Sequence, residues 1–169
     1  VAIIPLSAIE LNQAASTERA SFGVPELDRM CAGGLLRKSV ALVAGPTGTG
    51  KSLIGAHFAT GSPDERTLLL AFEEGADQLR RNAAGWGLPF ERMETAGTLR
   101  IEAAYPETAS LEDHLVRLKK VIDEFRPKRV VLDSLSALER IGSHRGFREF
   151  LIALVAHLKD LGVTTLMTA

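Results

Sequence analysis

A glycine-rich pattern constrains the fold of this chain more than any other feature of its sequence. Residues 45–52 read GPTGTGKS, in which two glycines separated by four residues are followed by lysine and a hydroxyl residue. Residues 39–44 are mostly apolar and strand-like, and residues 53–59 can continue as a helix. A strand, a loop of this kind and a helix in this order predict a nucleoside triphosphate site. The alternative is a Gly/Thr-rich turn that ends in Lys-Ser by coincidence, and the flanking strand and helix argue against it.

The residue types of this phosphate loop suit the binding of an anion. Gly45, Gly48 and Gly50 can adopt positive φ, which lets consecutive backbone N–H groups turn toward one centre. The N-terminus of the following helix adds a partial positive charge at the same place. Lys51 is expected to reach the β- and γ-phosphates, and the Ser52 hydroxyl is expected to coordinate Mg²⁺.

Strand-like and helical patterns alternate along the rest of the chain. Continuous apolar runs predict parallel strands that are covered on both faces, and amphipathic spacing predicts the helices between them. The predicted strands cover residues 67–72, 99–103, 129–133 and 164–168, and the main predicted helices cover 77–86, 89–96, 111–125 and 147–161. We therefore predict an α/β fold, a doubly wound and mostly parallel sheet flanked by helices, with ligands at the carboxyl ends of the strands.

Composition and charge narrow the function classes. A chain of 169 residues fits one domain, and a net charge of −1 provides no basic field of the kind that attracts nucleic acids or anionic membranes. Cys31 is the only cysteine, which excludes an internal disulfide and favours a reducing, cytoplasmic compartment. No apolar run approaches the length of about 20 residues that spans a bilayer.

An aspartate ends the predicted strand over residues 129–133. Asp133 lies downstream of Lys51, where nucleotide hydrolases and transferases place a carboxylate that organises Mg²⁺. It is expected to act through Ser52 or through a bound water. The alternative is a cap for the helix that begins near Ser134, and both roles can hold together.

Two adjacent glutamates follow the predicted strand over residues 67–72. Glu73 and Glu74 lie on the same rim as the phosphates, where a carboxylate orients or deprotonates an attacking water or hydroxyl. Adjacent side chains cannot both point at one atom, so Glu74 is alternatively a solvated acid near a helix N-terminus. Trp86, between two glycines, either offers a flat surface to an adenine ring or belongs to the core.

Several stretches together resemble the RecA-like ATPases of the KaiC family. They are residues 21–28 (SFGVPELD), 33–34 (GG), the phosphate loop, 71–74 (AFEE) and 133–138 (DSLSAL). The second of two ATPase repeats in the family's circadian clock members is the part most similar to this chain. The more specific features of the resemblance are residues 3–6, residues 79–83 with 86–87, residues 105–107 with 111–115, and residues 147–150.

The resemblance implies ATP and Mg²⁺ as the cofactors and assigns roles to individual residues. The implied ATP-binding residues are Thr47, Gly48, Thr49, Gly50, Lys51, Ser52, Leu53 and Trp86. Ser52 and Glu73 would contact Mg²⁺ together with Asp133. Glu73, Glu74 and Lys51 would carry the catalysis of ATP hydrolysis and of serine/threonine autophosphorylation.

The resemblance also implies an assembly. Family members form hexameric rings with ATP between subunits, and they use partners of the KaiA and KaiB type. Residues 1–19 are then an incoming strand and interdomain linker, and residues 20–169 are a RecA-like ATPase domain that is expected to be incomplete at its C-terminus. The phosphoacceptor serine and threonine and the basic residues reaching a neighbour lie outside this sequence, so the isolated chain is expected to be a weak enzyme.

Two departures and two alternatives accompany this interpretation. Gly75 stands where clock members commonly have serine, and the turn at residues 61–64 is short. A DNA-dependent ATPase of the RecA/RadA type would need basic, glycine-rich loops, whereas the predicted flexible loop at residues 142–146 and its neighbour Arg140 offer few cations. A scaffold whose ATP serves assembly rather than turnover is the other alternative.

Overall fold

The computed structural model describes residues 16–62 and 64–169. Its strands are β1 (Arg19–Ala20), β2 (Leu35–Leu36), β3 (Val40–Val43), β4 (Thr67–Ala71), β5 (Leu99–Ala103), β6 (Arg129–Asp133) and β7 (Thr164–Thr168). Its helices are α1 (Pro25–Met30), α2 (Lys51–Thr60), α3 (Ala76–Gly85), α4 (Phe90–Thr95), α5 (Leu111–Phe125), α6 (Leu135–Glu139) and α7 (His144–Asp160), with a 3₁₀ turn at Pro106–Thr108. The predicted strand near the start of the chain, and the linker up to residue 15, lie outside the described residues.

The main sheet is parallel throughout its described part. Its five strands follow the order β3-β7-β6-β4-β5, so strands that are distant in the sequence are neighbours in the sheet. The register sets Ala71 of β4 opposite both Asp133 of β6 and Ala103 of β5. Strands β1 and β2 form a separate antiparallel pair. The prediction of an α/β fold with a mostly parallel sheet is confirmed.

Helices cover both faces of this sheet because successive strand side chains point to opposite sides. Leu70 and Leu132 belong to the core that α5 and α7 cover. Leu69 and Val131 belong to the core that α2, α3 and α4 cover. Burial on both faces is the reason that the strand sequences are continuously apolar rather than alternating.

Helix α7 begins earlier than the sequence predicted. Ser143 is its N-cap, and the Ser143 hydroxyl accepts a hydrogen bond from the backbone N–H of Gly146 at 3.1 Å. The prediction of a flexible loop over residues 142–146 is therefore wrong, because most of that segment is the first turn of the helix. Among the described residues, no helix has the length and apolar character needed to cross a bilayer.

Candidate nucleotide-binding site

A cleft of about 570 Å³ lies at the carboxyl ends of the strands. It is lined by the phosphate loop, by the ends of β4 and β6, and by parts of α3 and α6. The predicted site residues that line it are Thr47, Gly48, Gly50, Lys51, Ser52, Leu53, Glu73, Glu74, Trp86 and Asp133. Thr49 is not among the lining residues, and its hydroxyl donates instead to the Pro46 carbonyl at 2.8 Å.

The phosphate loop has the backbone shape that an anion cradle requires. Gly48 and Gly50 have φ values of 84° and 88°. A Cβ added at either position would meet no atom within 4 Å, so the space over the loop is open. Gly45 does not share the positive φ that was predicted for it, and its restriction is steric, because an added Cβ would lie 3.3 Å from the Thr49 hydroxyl oxygen.

Backbone donors and a lysine converge on this loop. Gly50 caps α2 without a side-chain hydrogen bond, which leaves the first N–H groups of the helix to other acceptors. The Lys51 ammonium donates to the carbonyls of Gly45 at 2.6 Å and of Pro46 at 3.0 Å. Phosphate oxygens are acceptors of the same kind with more charge, so they can replace these carbonyls as partners of the ammonium.

Asp133 lies at the end of β6, and its carboxylate accepts a hydrogen bond from the Thr168 hydroxyl of β7. Strand β7 lies between β6 and β3, the strand that leads into the phosphate loop. Thr168 therefore joins Asp133 to β7, the strand next to the one that leads into the phosphate loop. Helix α6 has Ser134 as its N-cap, so the structure does not give Asp133 the alternative role of helix cap.

The two glutamates after β4 point toward different partners. The Glu73 carboxylate pairs with the Arg140 guanidinium at 3.2 Å and accepts a hydrogen bond from the Ser134 hydroxyl at 3.0 Å. The Glu74 carboxylate accepts a hydrogen bond from the Asn82 side chain of α3 at 3.0 Å. Adjacent positions in the sequence thus contact different helices that line the cleft.

The sequence did not identify the residues that hold the predicted acids. The sequence predicts no site role for Thr168, Ser134 or Asn82, and it indicates Arg140 only as a cation beside a DNA-binding loop. Serine, threonine and asparagine are common on surfaces and in turns, so their types carry no signal here. The position of Ser134 directly after Asp133 was the one available indication that it would reach the cleft.

Trp86 is the C-cap of α3, and 41% of its surface is exposed. It lines the cleft, so the alternative that it belongs to the core is wrong. Arg80, earlier on the same helix, is paired with Glu94 at 2.8 Å and with Asp77 at 2.7 Å. The hydrogen bond with Glu94, followed by the weaker effect of Asp77, raises the pKa of Arg80 above its ordinary value.

The side chains of the cleft suit a magnesium ion that arrives with phosphates. Ser52, Glu73 and Asp133 place hydroxyl and carboxylate oxygens in the same cleft, and these are the ligand types that Mg²⁺ takes. The described part of the chain holds no group of three or more His, Cys, Asp and Glu side chains arranged around a metal. In nucleotide sites Mg²⁺ is held by one or two protein oxygens together with phosphates and water, which these residues can supply.

Charge in the cleft also favours a divalent cation beside the nucleotide. Its described lining contains Lys51 and Arg140 as cations against the carboxylates of Glu73, Glu74 and Asp133. Since the carboxylates outnumber the cations, a triphosphate without a metal would bring further negative charge to an already acidic wall.

Comparison with known proteins gives a consistent result over the whole domain. A family model described as an ATPase of the KaiC type matches residues 20–169. The circadian clock protein KaiC3 of Synechocystis sp. is 50% identical over 171 residues, which covers 100% of this chain and 34% of that protein.

Two further relatives carry the description circadian clock oscillator protein KaiC. The one from Thermostichus vulcanus is 48% identical and the one from Synechococcus elongatus is 46% identical, each over 168 residues, 98% of this chain and 32% of the relative. The chain spans about a third of the length of these relatives. It has the RecA-like ATPase fold, and it belongs to the KaiC family.

Proposed function

We propose that this chain binds MgATP in the cleft and transfers the γ-phosphoryl group, to water and to serine or threonine hydroxyls of its own protein. The observation that carries the proposal is the convergence of the phosphate loop, Glu73 and Asp133 on one cleft. Phosphoryl transfer requires a loop that binds phosphate, together with carboxylates that bind a metal ion and accept a proton.

Binding is assigned to the loop and to α2. Backbone N–H groups around Gly48 and Gly50 and the N-terminus of α2 receive the phosphates, and Lys51 exchanges its two carbonyl partners for phosphate oxygens. Thr47, Thr49 and Leu53 complete the contact as the resemblance implies. Trp86 presents its exposed ring to the adenine.

The carboxylates of the cleft are assigned the binding of Mg²⁺ and the transfer of the proton. Ser52, Glu73 and Asp133 would hold Mg²⁺, which would neutralise charge that develops on the phosphates. A carboxylate of the glutamate pair accepts the proton of the attacking oxygen. Thr168 supports this arrangement, because its hydrogen bond fixes the carboxylate of Asp133.

Assembly and biological role follow the family. We propose a hexameric ring with ATP between subunits, in which a neighbour supplies basic residues, and partners of the KaiA and KaiB type in the cytoplasm. Relatives of similar sequence are described as circadian clock proteins, which supports a role in a clock or signalling oligomer. The DNA-dependent alternative is weakened, because α7 includes most of the loop at residues 142–146 and Arg140 is paired with Glu73.

The test uses the full-length protein with γ-labelled ATP. Lys51→Ala should abolish nucleotide binding and ATP-dependent ring assembly, measured by native mass spectrometry. The double variant Glu73→Gln, Glu74→Gln should keep ATP bound while label transfer falls by at least roughly 100-fold.

The matched control is Lys120→Ala, which removes an exposed lysine of α5 far from the loop in sequence and should behave like the wild type. Unchanged ATP binding in Lys51→Ala would contradict the proposal. Rings that form with ATP but never turn it over would instead identify an assembly scaffold.

A further inference from the structure

Both carboxylate oxygens of Glu73 are engaged. Arg140 at the end of α6 donates to Oε1 at 3.2 Å, and Ser134 at the start of α6 donates to Oε2 at 3.0 Å. Ser134 is buried, whereas Arg140 and Glu73 remain partly exposed. The residues at the two ends of α6 therefore both bind the carboxylate of Glu73.

Helix α6, which provides these two contacts with Glu73, also borders the candidate nucleotide site. Asp133 immediately precedes the helix, and Ser136 on the helix also lines the cleft. The backbone N–H of Phe72 donates to the Asp133 carbonyl at 2.8 Å. This hydrogen bond joins the ends of β4 and β6 one residue before Glu73. Any movement of α6 against β4 would therefore be transmitted to the carboxylate of Glu73.

Glu74 provides a comparison within the same site. Its carboxylate is held by Asn82 on α3, the helix that leads to Trp86, and not by any group of α6 that the structure describes. The two glutamates are thus held by different elements that line the cleft. Only Glu73 is coupled to the helix that follows the aspartate.

We infer that Arg140 and Ser134 are positioning residues that hold Glu73, rather than Glu74, as the acceptor of the proton in phosphoryl transfer. The inference rests on the proposed function. In this step the attacking oxygen forms a bond to the γ-phosphorus, Glu73 takes its proton, and the bond from the γ-phosphorus to the bridging oxygen breaks as ADP leaves. A carboxylate has about four acceptor positions, so Glu73 can keep its contacts with Arg140 and Ser134 and still have positions for the metal and for the attacking group.

An exposed ion pair of this kind contributes little to stability, because water and salt screen it. Its effect on orientation is larger, because catalysis falls steeply when a reacting group is misplaced by about 1 Å. Removal of Arg140 should therefore change turnover without changing the folding of the domain or its affinity for nucleotide.

The experiment measures ATP turnover of the full-length protein as kcat and KM separately. Arg140→Ala should lower kcat by roughly 10- to 100-fold and leave KM within about twofold. Arg140→Lys should have a kcat between those of Arg140→Ala and the wild type, since lysine restores the positive charge but not the planar guanidinium with its forked donors. Ser134→Ala should also lower kcat, and Glu73→Gln should lower it far more than Glu74→Gln.

A double-mutant cycle separates positioning from a merely structural role. In a Glu73→Gln background Arg140→Ala should have no further effect on kcat, whereas independent effects would multiply. Arg145→Ala, which breaks an exposed ion pair with Glu149 on α7, is the matched control and should leave both constants unchanged.

The outcomes distinguish the inference from the proposed function. Wild-type protein that neither binds nor hydrolyses ATP would overturn the proposed function itself. If the wild type turns over ATP and Arg140→Ala leaves kcat unchanged, the inference alone is overturned. The inference alone is also overturned if the effects of Arg140→Ala and Glu73→Gln on kcat multiply in the double variant. A larger loss for Glu74→Gln than for Glu73→Gln would also overturn it.

Discussion

Gly34 shows how a single position can decide whether the segment before the phosphate loop folds. Its φ is 118°, and an added Cβ would lie 2.2 Å from the carbonyl oxygen of Ala20 in β1. The contact is with backbone, so no side-chain rotation can relieve it. The pairing of β1 with β2 depends on this close approach.

We predict that Gly34→Ala lowers the free energy of unfolding by at least about 3 kcal/mol, because it combines strain with a backbone clash. Gly97→Ala is the matched control, since Gly97 has a φ of 71° but no atom within 4 Å of an added Cβ. It should cost only about 1–2 kcal/mol. Urea unfolding measures both, and equal losses for the two variants would contradict the role of the clash.

Residues of the site could be predicted from the sequence to different extents. Glu73 and Asp133 were predictable, because parallel strands deliver the residues that follow them to one edge of the sheet. Their partners Ser134 and Arg140 were not, because their contacts with Glu73 join positions that are 61 and 67 residues apart in the sequence and meet only in the folded chain. The sequence left Trp86 open between the core and an adenine contact, because a tryptophan suits both.

Helix α7 shows which signals decide an element boundary. Its amphipathic spacing predicted the helix itself, but two glycines at its start suggested a loop. Ser143 overrides this tendency, because its hydroxyl satisfies the N–H of Gly146 in the first turn. Helix α5 begins in the same way, since the hydroxyl of Ser110 accepts from the N–H of Asp113 at 3.1 Å, and there the predicted start is confirmed.

We predict that Ser143→Ala destabilises the domain by about 1 kcal/mol, because the first turn loses its cap. Ser143→Asp keeps an acceptor at the N-cap and adds a favourable charge near the helix N-terminus, so it should match the wild type. Thermal unfolding followed by circular dichroism measures both. If alanine and aspartate had the same effect, the cap would not be the cause.

At the scale of the whole molecule, a buried arginine joins segments at the end of the sheet opposite the cleft. Arg129 is only 1% exposed and pairs with Glu65 at 2.9 Å, while Glu65 also pairs with Arg37 at 2.7 Å. The Arg129 guanidinium donates to the carbonyl of Ser21 at 2.7 Å and lies over the ring of Phe58. The network ties the segment before the phosphate loop to β6.

The protonation of Glu65 makes this network sensitive to pH. Burial raises the pKa of Glu65, but hydrogen bonds from Arg129 and Arg37 outweigh it and hold the pKa below the ordinary value of 4.5. A carboxylate with a lowered folded-state pKa stabilises the fold above its unfolded pKa. That stability is lost as the pH falls through the unfolded and then the folded value.

We predict that Glu65→Gln costs about 3 kcal/mol at pH 7, because Arg129 would keep a buried charge without its carboxylate. The difference from the wild type should shrink as the pH falls below 4.5. Denaturant unfolding at pH 7 and pH 4 measures it. Glu149→Gln in the exposed pair on α7 should have no effect at either pH, and a loss that does not depend on pH would contradict this explanation.

The order of elements and the coverage of the sheet were predictable at this scale, because apolar runs and amphipathic spacing report burial directly. The network around Arg129 was not, since an arginine at the start of an apolar strand is ordinarily a surface residue. Its burial depends on a carboxylate that is distant in the sequence, and only the folded chain brings the two together.

We propose that this cleft binds a nucleotide through its phosphate loop, and Trp86 allows that binding to be measured directly. Trp86 is the only tryptophan of the chain and lines the cleft, so its fluorescence reports on the site. Titration with MgATP should give a saturable change in the wild type and no saturable change in Lys51→Ala, because the variant lacks the ammonium that binds the phosphates. No saturable change in the wild type, or equal affinity in the two proteins, would contradict the claim.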